Sequence, residues 1–154
     1  MAAMKLRLIS VGRDRSGLFE PAVQEYAGRL KHYCKFELVE LPEARKARDP
    51  ASAIAEEAQA ILGRLDRGEL VVALDERGKP LTSRGLADFL GRAQGRDAAF
   101  VVGGAEGLGE PVRQRAGLVL SLSAMTLPHR LARLVAAEQL YRAFTLIRGE
   151  PYHR

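Results

Sequence analysis

The chain has 154 residues, 47% hydrophobic and 28% charged, with 24 Lys and Arg against 19 Asp and Glu, a net charge of +5 and a pI near 9.7. That suits one domain with a sizeable core, spanning 1–154, and a basic surface of this kind favours anionic partners, nucleic acid before a membrane. One cysteine, Cys34, excludes an intramolecular disulfide and a cysteine-built zinc site and suits a reducing cytoplasm, and no stretch has the length of a membrane span or the pattern of a signal peptide.

Lys5–Val11 alternates apolar and polar residues and reads as a first strand. The turn cluster Gly12–Gly17 follows, then a helix with Phe19, Val23, Tyr26 and Leu30 on one face. Phe36–Leu41 is a second strand, closed by Pro42. Arg45, Lys46 and Arg48 form a basic loop, for which a solvated surface is the simpler reading and an RNA contact the sharper one. Asp49 before Pro50 marks a helix start, with Ile54, Ala58, Ile61, Leu62 and Leu65 on its inner face and Gly68 as its end.

Glu69–Leu74 is a nearly continuous apolar run, expected of a strand buried on both faces, and Asp75–Pro80 reads as the loop at its carboxyl end. Thr82 or Ser83 caps a helix carrying Leu86, Phe89, Leu90 and Ala93. Ala98–Val102 is a further buried strand, which runs into Gly103–Gly109; Pro111–Ala116 makes a helical turn or two, and Gly117–Leu122 holds the last strand. Strands alternating with helices predict a three-layer, mostly parallel α/β sheet.

Pro128 ends the extended run and biases Leu127 away from helix, so Leu122–His129 is a loop entering a final helix, Arg130–Arg148. That helix carries two apolar stripes: Ala136, Leu140, Ala143, Phe144 and Ile147, and then Leu131, Leu134, Val135 and Tyr141. Two stripes predict burial on two sides, against the sheet and against a second copy, or else a helix sunk in a monomer core.

Three strand ends carry the chemistry: Leu74-Asp75, Gly103–Gly109 and Leu122–Leu127. In open α/β sheets ligands sit at such ends. The glycine loop reads Gly-Gly-x-x-Gly-x-Gly, which is not the dinucleotide fingerprint, although its glycines allow close backbone approach to a ligand. The scattered His32, His129 and His153 suggest no metal site, and Ser121 and Ser123 make no nucleophile elbow.

The runs Phe100–Leu108, Leu120–His129, Leu131–Leu134, Ala137–Ala143 and Pro151–Arg154 resemble the ribosomal RNA large subunit methyltransferase H family of the SPOUT superfamily. The likeness spans Met4 to Arg154 and is most specific in the carboxy-terminal half; whether Met1 or Met4 is the native start stays open. It implies a SPOUT-like α/β fold with a C-terminal deep trefoil knot, a cytoplasmic homodimer, and S-adenosylmethionine bound in the knot. It also implies methylation of N3 of a pseudouridine in large-subunit (23S) ribosomal RNA on assembled ribosomes. Carried over by position, Leu74, Gly103, Gly104, Leu122, Ser123, Ala124, Met125, Thr126 and Leu127 form the cofactor pocket. His129, Arg133 and Glu138 face the substrate, while Arg142, Tyr152, His153 and Arg154 are catalytic, with His153 able to take the N3 proton. Arg130, Arg133 and Arg148 can hold phosphates. Glu138 and Arg142, four apart on a helix, can also simply pair. The competing class is a non-enzymatic basic RNA-binding module.

Overall fold

The computed structural model describes residues 4–93 and 95–154. Its elements are β1 (Lys5–Val11), α1 (Glu20–Leu30), β2 (Lys35–Leu41), α2 (Pro50–Leu62), β3 (Leu70–Pro80), α3 (Ser83–Arg92), β4 (Ala98–Val102), α4 (Glu110–Arg115), β5 (Leu118–Ser121) and α5 (His129–Ile147). The five strands form one parallel sheet in the order β2-β1-β4-β3-β5.

Both faces of the sheet are covered, as a parallel sheet requires. Leu6, Leu8, Val72, Leu74, Phe100 and Val102 point to one face and pack under α1, α3 and α5, through Leu30, Leu90 and Leu140 among others. Ile9, Val11, Val71, Ala73 and Val101 point to the other, under α2 and α4, where Ile61 and Val112 close the layer. The local signals act as read: Asp49 accepts from the Ser52 amide at the start of α2, and Thr82 accepts from Gly85 N to start α3.

Two strands differ from their sequence patterns. β1 alternates in polarity, yet it lies inside the sheet, and Arg7 and Ser10 are buried along with its apolar residues. Arg7 is accommodated there because Glu69 accepts from its Nη2 at 2.6 Å and from its Nε at 3.2 Å, and the Arg64 carbonyl accepts from Nη2 at 2.8 Å. The second departure is β3, which does not stop at Leu74. Asp75–Pro80, expected as a loop, continues as strand. Leu120 of β5 aligns with Leu74 and again with Lys79, so the chain bulges between them and returns to β5. Gly78 makes this possible, since a Cβ there would lie 2.6 Å from the Val119 carbonyl oxygen.

A parallel sheet puts every strand's carboxyl end at one edge. At that edge β3 leads to α3 on one face and β4 leads to α4 on the other, which opens a crevice between the two exits.

A candidate cofactor crevice and a carboxy-terminal polar cluster

Three loops meet at the crevice. The segment after β5 is shaped by its own side chains, with Ser121 Oγ donating to the Ser123 carbonyl at 2.9 Å and Met125 N donating to Ser123 Oγ at 2.9 Å. It is tied to the bulged part of β3 by Thr126 Oγ1, which donates to Glu76 at 2.6 Å. Asp75, at the start of that bulge, is held by Arg77 at 3.1 Å and Arg113 at 3.2 Å, and the same Arg113 donates to the Leu108 carbonyl at 2.6 Å, fastening the glycine loop beside it. Hydrogen bonding from Arg77, first among several causes, holds the Asp75 carboxyl below the usual carboxylate range, so it stays charged and keeps its clamp at neutral pH.

The glycine loop is tight for specific reasons. Gly104 and Gly107 bridge, Gly107 has φ +88°, and a Cβ on Gly103 would lie 2.6 Å from the Gly107 carbonyl carbon. A Cβ on Gly104 would stand 3.2 Å from both Val11 Cγ1 and Glu57 Oε1. Gly104 therefore faces the end of β1 and α2, so a large residue there would strain the fold as well as crowd a ligand. Of the expected pocket residues, Leu74, Gly103 and Gly104 are buried, Leu122, Ser123 and Leu127 are half-buried, and Ala124, Met125 and Thr126 are exposed. Met125 is 78% exposed, an apolar side chain with little to cover it among the described residues.

His129 and Arg133, expected at the substrate face, are turned inward. Arg133 is 5% exposed; its Nη1 donates to Glu20 at 2.6 Å and its Nη2 to Glu40 at 3.1 Å. It therefore ties the first turns of α5 to α1 and β2 and has no free face for a phosphate. Among the described residues His129 Nε2 is buried without a partner, and with Ser10 and Arg133 it lines a cavity of about 10 Å³, the space of one water. Burial, then the charge of Arg130, pushes the His129 imidazole below its usual value, so it is neutral at pH 7.

Glu138, Arg142, Tyr152 and His153 do come together. Glu138 Oε2 accepts from Arg142 Nη2 and from the Tyr152 hydroxyl, each at 2.8 Å. Arg142 also stacks over the Tyr152 ring, 4.7 Å from its centroid, and Tyr152 meets Tyr141 edge-on with centroids 4.7 Å apart. Burial and the bond to Glu138 raise the Tyr152 phenol, which stays protonated. The tail is thus docked on its own helix. Arg142 Nη1 lies 3.1 Å from His153 Nδ1. A guanidinium only donates, so Nδ1 is the acceptor and the ring proton sits on Nε2. In this arrangement His153 offers an N–H donor, and the lone pair expected to act as a base is already used. Arg154 is exposed beyond it, and Arg148 lies 4.8 Å over the Tyr33 ring.

Within one chain the two groups of residues stand apart. Along α5, Glu138 and Arg142 lie nine and thirteen residues beyond His129, about 14 and 20 Å along the axis. The second apolar stripe has few neighbours to cover it: Leu131, Leu134 and Val135 stay half-exposed, whereas Ala136, Leu140 and Ala143 are buried. Ile147, placed in the first stripe by spacing, is 46% exposed at the helix end.

A family model described as "Predicted SPOUT methyltransferase" matches residues 4–153. The chain is 58% identical over 153 residues to a ribosomal RNA large subunit methyltransferase H of Anaeromyxobacter sp. (strain Fw109-5), covering 98% of this chain and 100% of that one. It is 46% identical over 150 residues to the protein of the same name from Gloeobacter violaceus, covering 97% and 99%. Among solved structures, a probable methylase family protein from Haemophilus influenzae superposes with a TM-score of 0.55 at 17% identity, over 97% of this chain and 70% of that one. The SpoU methyltransferase AviRb from Streptomyces viridochromogenes, in complex with the cofactor AdoMet, gives 0.51 at 14% identity, over 92% and 58%.

Proposed function

The chain belongs to the SPOUT methyltransferase family, and from that premise we propose that it transfers a methyl group from S-adenosylmethionine to large-subunit ribosomal RNA. The reading rests above all on the crevice, where three loops are clamped together at the carboxyl edge of the sheet. The residues fit this cofactor. Gly103 and Gly104 leave backbone bare, and Leu74, Leu122, Met125 and Leu127 supply apolar wall. The return of β3 to β5, with Thr126 fastened to Glu76, suits a chain threaded into a trefoil knot here.

The finer assignments are the N3 atom of a pseudouridine, on the assembled ribosome, in the cytoplasm. The cofactor supplies an electrophilic methyl on a sulfonium, which needs no metal activation. The chain's residues must then place the acceptor nitrogen in line with that methyl. As the N3–methyl bond replaces the methyl–sulfur bond, leaving neutral S-adenosylhomocysteine, the N3 proton passes to solvent, and the charge developing on the imide would be met by the Arg142 and Arg154 guanidiniums and the Nε2–H of His153. Glu138 positions Arg142, and Tyr152 fills the space beneath its plane.

The separation along α5 makes the assembly part of the proposal. A tail cluster about 14 to 20 Å from the loops cannot reach a methyl held among them within one chain. A second copy packed on the half-exposed Leu131, Leu134 and Val135 stripe brings the tail of one protomer to the crevice of its partner. The test is methylation of purified large subunits by the protein with labelled S-adenosylmethionine, followed by mass mapping of the ribosomal RNA. Label at a pseudouridine is the expected result. Cofactor binding by calorimetry separates this reading from a non-enzymatic RNA-binding module, which would bind RNA and ignore S-adenosylmethionine.

A further inference from the structure

The loops after β1 and β2 lie at the same sheet edge as the crevice but take no part in it. Arg13 and Arg15 are exposed on the first, Lys46 and Arg48 on the second, and none of these four is ion-paired among the described residues. The first loop is stiff. Asp14 accepts from the Phe19 amide at 2.7 Å and the Glu20 amide at 3.0 Å, and it also holds the Ser16 hydroxyl. Gly12 and Gly17 take positive φ at its two ends. Arg130 Nε donates to the Arg13 carbonyl at 3.1 Å, which fixes the loop to the start of α5 and adds a third guanidinium beside it. The two loops adjoin, because Gly12 N donates to the Leu41 carbonyl at 2.8 Å and Glu43 lies against Gly12. Between the second loop and α2 is an open cleft of about 430 Å³, lined by the cations of Arg45 and Lys46, by the carboxylates of Glu43, Glu56 and Glu57, which suit base N–H donors rather than phosphate, and by Ala60. That volume falls in the range of small-molecule sites and takes one nucleotide.

We propose that these two loops form a phosphate-binding track for one strand of the RNA substrate, with Arg13, Arg15, Arg130, Lys46 and Arg48 as its cations and the cleft as the berth of one nucleotide. The proposal rests on the RNA methyltransferase reading and extends it to a surface outside the crevice. Guanidiniums on a fixed backbone suit phosphate oxygens, because little side-chain and loop freedom is lost on binding. A strand rather than a duplex fits, since the cleft admits a nucleotide only when it is unstacked from its neighbours. Leu18, 77% exposed on the same loop, offers an apolar face to a base or ribose at the edge of the track. Within the cleft, Glu57 keeps one oxygen on the Ala44 amide at 3.0 Å and holds the loop's shape.

The test compares two charge reversals of equal size in the full-length protein. Arg13→Glu with Arg15→Glu alters the track, while Arg64→Glu with Arg67→Glu alters exposed arginines at the opposite, amino-terminal edge of the sheet. Binding to purified large subunits and to a short single-stranded RNA is followed against salt, and S-adenosylmethionine affinity is measured separately. Reversal of the track pair is expected to weaken RNA binding at least about tenfold and to flatten the salt dependence by roughly 0.7 for each phosphate that is no longer neutralised. Cofactor affinity and the mass of the protein in solution should stay at wild-type values, and the control pair should change binding less than about twofold. Equal losses from the two pairs would reduce the effect to net charge, and no loss from the track pair would remove the loop from the RNA path; either overturns the proposal. A changed mass in the track variant would place the loop in a subunit contact and overturn it as well. Wild-type protein that methylates large subunits while the track pair changes nothing sinks the track alone, whereas wild-type protein that neither binds nor methylates them sinks the function with it.

Discussion

Replacing Arg133 by Ala separates two roles that its position in the sequence leaves open. The guanidinium is 5% exposed and carries two carboxylate contacts, to Glu20 and Glu40, which are themselves about a third exposed. Breaking a fully buried ion pair costs about 3–5 kcal/mol, because a charge is left stranded. Here water can reach both carboxylates, so part of that penalty is recovered, while the side-chain volume removed from under α5 adds a packing cost. The expected cost is about 2–3 kcal/mol, a drop in Tm of roughly 4–12 °C for a chain of this length. Differential scanning calorimetry measures it. The pH dependence has a defined sign. Glu20 is held below its ordinary carboxylate value, with burial opposing and bonds from Gln24 and Arg133 lowering it. Its contribution is therefore full above the unfolded value of about 4.3 and fades as pH falls through the folded value. The gap in Tm between wild type and variant should narrow in that acid range. An Arg133→Ala protein with wild-type Tm and weakened RNA binding would refute the reasoning and return Arg133 to the substrate face.

Deleting Pro151–Arg154 removes the Tyr152 contacts to Glu138 and Tyr141, so Tm should fall by a few degrees, from about 1–2 kcal/mol, while methyl transfer to large subunits falls by orders of magnitude and cofactor affinity changes far less; a truncated protein with wild-type turnover would remove the tail from the reaction. Leu134→Glu places a charge in the half-exposed stripe of α5 and should yield monomers by sedimentation together with loss of methylation; a wild-type protein that sediments as a monomer refutes the two-copy site. Thr126→Val cuts the tie between the loop after β5 and the bulge of β3 and should weaken S-adenosylmethionine binding about tenfold in calorimetry with Tm nearly unchanged; unaltered affinity would show that the tie does not shape the pocket. His153→Gln, whose amide can stand in for the Nε2–H, should keep most of kcat, whereas His153→Ala should not; equal and complete losses would favour a base at this position.

The layers and most element boundaries were legible because their signals are local. Asp49-Pro50 and Thr82 start helices by capping, and the runs Glu69–Leu74, apart from Leu70, and Ala98–Val102 are buried on both faces as their composition implies. β1 was misleading in one respect, for its Arg7 and Ser10 suggest a half-exposed strand. What buries Arg7 is Glu69, 62 residues away in sequence, and no local pattern reports a partner at that distance. Asp75–Pro80 carries charged and turn-forming residues and reads as a loop. Its second alignment with β5 depends on Gly78 lying against Val119, a contact set by the path of the chain rather than by periodicity.

At the site, spacing alone was enough to pair Glu138 with Arg142, since residues four apart on a helix are neighbours. It could not say what the pair does. Glu138 pairs with Arg142 while one of its oxygens also accepts from the Tyr152 hydroxyl, and Arg142 has a further N–H left for His153. That single contact sets the imidazole tautomer and turns the outer edge of the ring into a donor. A residue type that suggests a base in the sequence thus becomes part of an N–H donor surface once its neighbour is known. The N3 of a uracil-like ring needs such a surface more than it needs a strong base, because its proton is acidic only to the extent that the carbonyl oxygens beside it are stabilised as the charge develops. On the proposed reading, the Arg142 guanidinium on α5, together with the His153 N–H and the Arg154 guanidinium of the tail beyond it, would supply that stabilisation without carrying off the proton themselves.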